Sequence, residues 1–266
     1  MILILASLSS AILYLTAGAI QAASLSGKSP TRRPLVIMLG SGAVVLHSLA
    51  VYLTLHPGNG IQLGLLPVSS LIAWLVAGLV LLSCLRKPLE SLFVGVFPMA
   101  AIAVFLASIG LTTAPPQQYN GGEIAHILTS ILAYSIFAIA ALQALVLARQ
   151  DHELKHHHIR GIIRTLPPLQ LMEQLLFEMV WLGVILLSIS LLTGLLFLED
   201  IFAQHLVHKT ALSLAAWGIY ATLLWGRSQR GWRGTTAIQW VLGGFVFLML
   251  AYYGSKLALE LVITVP

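Results

Sequence analysis

Five histidines, His47, His56, His126, His205 and His208, stand in or beside apolar runs of the chain, and four more, His152, His156, His157 and His158, share its one extended polar stretch. A neutral imidazole offers one lone pair and one N–H, so it ligates a metal, relays a proton or hydrogen-bonds a neighbouring helix. The three consecutive rings at 156–158 point in different directions on a helix and read as part of a solvated basic face rather than a metal site. The five others fall toward one side of the chain's elements, and they carry the chemistry.

Those elements follow from composition. Of 266 residues, 58% are hydrophobic and 9% charged, and the mean hydropathy is +0.94, which places the chain among integral membrane proteins. Apolar runs of about 20 residues, the length that crosses a hydrocarbon core, occur at about 2–23, 35–55, 63–85, 89–111, 124–148, 171–198, 208–226 and 235–262. The expectation is an all-α polytopic bundle of about eight transmembrane helices, a single membrane domain over 1–266 with a basic cytoplasmic joint at 149–170. The first run lacks a basic leader and is expected to be a retained helix.

Twelve of the 14 lysines and arginines lie in alternate joints, around 28–33, 86–87, 149–164 and 227–233. Basic residues stay on the cytoplasmic side, so both termini are expected outside, and the net charge of +5 reports topology rather than nucleic-acid binding. The lone Cys84 excludes an intramolecular disulfide, a CxxC pair and a covalent CxxCH haem site. No Walker loop, H-E-x-x-H or G-x-S-x-G is present. Pro67 and Pro98 are expected to bend helices 3 and 4, and Gly243 and Gly244 to permit close helix contact.

His47 lies about 18 Å along its helix from the inner face, beside the small residues Gly40, Ala43, Ala50 and Thr54. His126 opens a face on which Thr129, Ser130, Ala133 and Tyr134 recur at helical spacing. Two imidazoles in an apolar bundle can ligate haem iron from either side, with cations meeting the propionates; Lys209 and Lys256 are the basic residues on that side. Simple helix–helix hydrogen bonding and a proton or divalent-ion relay, as in a transporter or its associated subunit, explain the same spacing.

The stretches "HILTSILAYSIFAIAALQALVLARQDHELK", "LPPLQLMEQLLFEMVWLGVILLSISLLTGLLF" and "HKTALSLAAWGIYATLLWGRSQRGWRGTTAIQWVLGGFVFLMLAYYGSKLALEL" resemble the cytochrome c assembly protein family. The likeness is greatest to its small eight-helix, YpjD-like branch, related to HemX. It covers about residues 121–260 well and the first four helices more loosely, chiefly through His47. The resemblance implies non-covalent haem b near the outer face, with His47 and His126 as axial ligands and Tyr134 close to His126. It further implies haem holding, relay or regulation linked to cytochrome c biogenesis, in the bacterial inner membrane, with cytochrome c maturation or tetrapyrrole-metabolism proteins as partners. HemX-like relatives point alternatively to a regulatory interaction subunit. The W-x-W-D segment of haem-delivering members is absent; the chain reads "LEDIFAQHLVHKTALSLAAW" there, so an enzyme of haem attachment is not implied. His205 and His208 occupy this gap, and His208 becomes the second ligand if His47 and His126 do not face each other.

Overall fold

The computed structural model describes residues 1–30, 32–58, 60–110, 115–155, 166–197 and 204–254, with the backbone alone at 204–207. Eight α-helices are found among them: α1 Ile2–Leu25, α2 Arg33–Leu55, α3 Leu65–Cys84, α4 Phe93–Ile109, α5 Gly121–Lys155, α6 Leu169–Phe197, α7 Gln204–Arg230 and α8 Gly234–Met249. A 3-10 turn, Glu90–Leu92, leads into α4, and a π turn, Leu250–Gly254, continues α8. Helices are what such a sequence must form, because hydrocarbon offers no partner to an unpaired backbone group. Serine and threonine hydroxyls are absorbed in the same way: Thr16 donates to the Ile12 carbonyl, Thr54 to Ala50 and Ser69 to Leu65.

Among the described residues, seven spans are long and apolar enough to cross a bilayer: α1, α2, α3, α4 with its leading turn, α5, α6, and α8 with its π turn. The polytopic helical bundle expected from composition is therefore found. α7 has the length, but it carries His208, Lys209 and Thr210 near one end and Arg227, Ser228 and Arg230 at the other. α5 runs to 35 residues, about 52 Å at 1.5 Å per residue, so the polar joint expected from 149 begins as a continuation of this helix. The histidine run 156–158 lies outside the described residues.

The chain divides into two compact units, 1–118 with 153–167, and 119–152 with 168–266. In the first, α1 packs on α2 and α4, and α3 on α4 and α2. Small residues set these approaches: a Cβ on Gly40 would lie 2.7 Å from the Phe97 ring, and one on Gly18 3.5 Å from Pro98. Pro98 lies inside α4, whereas Pro67 is the third residue of α3, in the first turn, where a missing N–H costs no helical bond. Arg33 ties the basic rim of this unit together, pairing with Glu90 at 2.9 Å and donating to the Cys84 carbonyl at 2.7 Å.

In the second unit the Phe137 and Tyr220 rings stack at 3.9 Å. Gly183 and Gly244 make room for them, since a Cβ on either would come within 2.7 Å of a ring atom. The α7–α8 turn, Gly231-Trp232-Arg233-Gly234, needs glycine at both ends, with φ of +66° and +55°. It is closed by the Glu173 carboxylate, which accepts from the Gly234 N–H at 2.9 Å, and by Arg227, which donates to the Trp232 carbonyl at 3.3 Å.

Candidate functional site

In the second unit the site is built from the entrance of α5. Asn120 and Glu123 form a reciprocal capping box: the Asn120 side-chain oxygen accepts from the Glu123 N–H, and the Glu123 carboxylate accepts from the Asn120 N–H, each at 2.9 Å. Glu123, the acidic residue before His126, is thus a helix-starting residue. His126 follows in the second turn, half-buried, and its Nδ1–H donates to the Ser190 carbonyl of α6 at 2.8 Å. A carbonyl can only accept, so the proton sits on Nδ1 and the lone pair on Nε2.

Two further bonds complete a ring between the helices. The Ser130 hydroxyl donates to the His126 carbonyl at 2.7 Å, and the Ser190 hydroxyl then donates to Ser130 Oγ at 2.6 Å. Orienting an imidazole by an Nδ1–H bond to a backbone carbonyl is how proteins prepare its other nitrogen for a metal. Lys209 of α7 lies within electrostatic reach of this ring, and its ammonium stands 5.9 Å from the centre of the Tyr252 ring. Tyr134, two turns below His126, donates its hydroxyl to the Met249 sulfur and meets Phe245, Tyr252 and Tyr253 at 5.7, 6.1 and 6.1 Å. It forms part of an aromatic wall. His208 is exposed.

In the first unit His47 is fully buried, with 0% exposure, as is Tyr14. Its Nε2 lies 2.9 Å from Ser70 Oγ and its Nδ1 3.3 Å from the Tyr14 hydroxyl. In one tautomer Tyr14 donates to Nδ1 and Nε2–H donates to Ser70; in the other both directions reverse. Either way both ring nitrogens are used. The Tyr14 ring meets His47 edge-on at 5.8 Å and Phe97 at 5.4 Å, so α1, α2, α3 and α4 each send one side chain into this cluster.

The two histidines therefore differ in fitness for an iron. His126 fits a ligand to iron, with an oriented ring, an Nε2 that has no hydrogen-bond partner among the described residues, and a cation nearby. His47 as arranged does not fit, because a bond to either nitrogen must displace Tyr14 or Ser70 from a packed core. His47 belongs to the first unit, and His126, Tyr134, His208 and Lys209 to the second. Lys256 and the His205 side chain lie outside the described residues. Sequence reasoning missed Ser190, Tyr14 and Ser70. Each is a hydroxyl within an apolar run, the one signal available for them.

Residues 35–263 match the Cytochrome C assembly protein family. The chain is 32% identical over 238 residues to Inner membrane protein YpjD of Escherichia coli strain K12, covering 86% of this chain and 88% of that protein. It is 29% identical over 140 residues to an uncharacterized 28.8 kDa protein in the nifR3-like 5' region of Azospirillum brasilense, covering 52% of each. Protein HemX of Brevibacillus brevis is 24% identical over 166 residues, covering 62% of this chain and 57% of that protein.

Proposed function

Since the chain belongs to the Cytochrome C assembly protein family, we propose that this multi-pass membrane protein holds or relays haem b non-covalently, in support of cytochrome c biogenesis, in a bacterial inner membrane. The observation that carries the proposal is the His126 ring, fixed by the Ser190 carbonyl so that Nε2 is left with its lone pair. His126 would be one ligand to the iron, and exposed His208, next to Lys209 in the sequence, would be the other. A haem held there would supply an iron open to imidazole and propionates that take a cation. Lys209 would meet the propionates, and Tyr134, Tyr252 and Tyr253 would wall the apolar side. His47 has no part in ligation, its nitrogens being committed within the first unit. The W-x-W-D segment is absent from this sequence, so the role stops at handling haem and does not extend to attaching it.

The test is spectroscopic. Protein purified in detergent with and without added haemin is expected to give a Soret band and low-spin visible bands. His126→Ala should abolish the low-spin signature and His208→Ala should convert it to high spin. A wild type without a Soret band, or a His126→Ala spectrum identical to wild type, overturns the proposal.

A further inference from the structure

The Ser190 carbonyl that orients His126 also serves a second side chain. Thr193, one turn further along α6, donates its hydroxyl to that carbonyl at 3.0 Å and to the Ile189 carbonyl at 2.9 Å. The His126 Nδ1–H arrives at the same Ser190 oxygen at 2.8 Å. As an interior residue of α6, Ser190 offers this oxygen to the helical ladder as well. A carbonyl oxygen has two lone pairs, so three donors there each hold less of it than one would alone. Hydroxyls that fold back on their own helix recur in this protein, as at Thr16, Thr54 and Thr222. Thr193 differs from these in that its acceptor is shared with a ring N–H. Its single proton has two acceptors, so rotation toward Ile189 would release the Ser190 oxygen to the imidazole.

We propose that Thr193 is a positioning residue for the His126 site. By drawing on the Ser190 carbonyl it weakens the Nδ1–H bond, and so limits the electron density that Nε2 can offer an iron. The acceptor on a histidine's far nitrogen sets how strongly the ring ligates. A full-strength acceptor makes a lasting ligand, whereas a shared one suits a protein that holds a group and passes it on. The use of Thr193 thus rests on the haem-holding role proposed above; its hydrogen bonds do not.

Thr193→Val keeps the side-chain shape and removes the hydroxyl. In haem-free, histidine-labelled protein in detergent, with the signal assigned through His126→Ala, the nitrogen-15 resonance of Nδ1 is expected to move downfield as its hydrogen bond strengthens. Thr193→Ser restores the hydroxyl and should return the resonance to its wild-type position. Thr222→Val, which removes a hydroxyl folded back on α7, should not move it. Haemin titration gives the second reading. Thr193→Val should bind about threefold more tightly than wild type, the opposite of what a loosened helix would do, and Thr193→Ser should match wild type. An unmoved or upfield Nδ1 signal in Thr193→Val, an equal movement in Thr222→Val, or haemin bound no more tightly by Thr193→Val than by a haemin-binding wild type overturns the proposal. A downfield signal in a protein that takes up no haemin supports the control of the ring by Thr193 and sinks the haem reading instead.

Discussion

The His126 ring donates from Nδ1 to the Ser190 carbonyl at 2.8 Å, so a backbone atom of α6 sets the tautomer of a side chain on α5. A backbone carbonyl survives any side-chain change. Ser190→Ala is therefore expected to leave His126 protonated on Nδ1 while removing the 2.6 Å bond to Ser130, at a cost of about 0.5–1.5 kcal/mol. Nitrogen-15 NMR of histidine-labelled protein, with the signal assigned through His126→Ala, reads the tautomer directly. A proton found on Nε2 would remove the ligand-ready state.

Asn120 and Glu123 decide where α5 begins, six and three residues before His126. Asn120→Ala is expected to cost about 1 kcal/mol and to fray the turn that carries the imidazole, weakening haemin affinity several-fold. Glu123→Gln keeps the reciprocal bond and should change affinity little. Haemin titration of the two variants tests this; equal affinity in both would mean that the entrance of α5 does not position the ring.

Tyr119 stands beside that box, outside the span. Its burial, and after it the Glu123 carboxylate, push the phenol above its ordinary value. A folded value above the unfolded one stabilises the fold fully below the ordinary tyrosine pKa of about 10, and that contribution is lost as pH rises through the folded value. Alkaline titration of phenolate absorbance, with Tyr119→Phe as the blank, should show late ionisation. Glu123→Gln should bring it earlier. Ionisation of Tyr119 at the ordinary value would remove the effect.

Much of this arrangement was legible in the sequence, and the limits have a physical cause. The run 35–55 became Arg33–Leu55 and 171–198 became Leu169–Phe197, because apolar length and breaker residues are local properties. His126 and the small-polar face below it were equally readable from spacing. Ser190 was not, since the atom that orients the ring is a main-chain carbonyl, which every residue possesses. Tyr14 and Ser70 escaped for a related reason. Periodicity says which face a residue occupies, not which helix lies across from it. The separation into two units also has no signature, because short polar joints link helices within a unit and between units alike.

The α7–α8 turn rests on a long-range contact. Glu173, 7% exposed near the start of α6, accepts from the Gly234 N–H 61 positions later, and Arg227 lies 3.8 Å from the same carboxylate oxygen. Glu173→Ala removes an acceptor from a half-buried N–H and a partner from a half-buried cation, and is expected to cost about 1–3 kcal/mol. Gly234→Ala, forced to hold φ at +55°, should cost about 1–2 kcal/mol. Thermal unfolding in detergent measures both. Wild-type melting of Glu173→Ala would show that the turn is held without the Glu173 carboxylate.

His47 separates a structural from a ligating histidine most sharply. Removing its ring leaves a cavity among four helices and two buried hydroxyls, Tyr14 and Ser70, without their partner. His47→Ala is therefore expected to destabilise the haem-free protein by about 3–5 kcal/mol, and Tyr14→Phe, which deletes one bond and keeps the ring against Phe97, by about 1 kcal/mol. His47→Gln retains hydrogen-bonding capacity at the same place and should recover part of the loss. Its low-spin haem spectrum should match wild type, because the iron is held elsewhere. The decisive contrast is between melting temperature without haem and the spectrum with it. If His47→Gln melts like wild type but loses the low-spin bands, the ring leaves Tyr14 and Ser70 to reach the iron, and its hydrogen bonds hold it in reserve for that state.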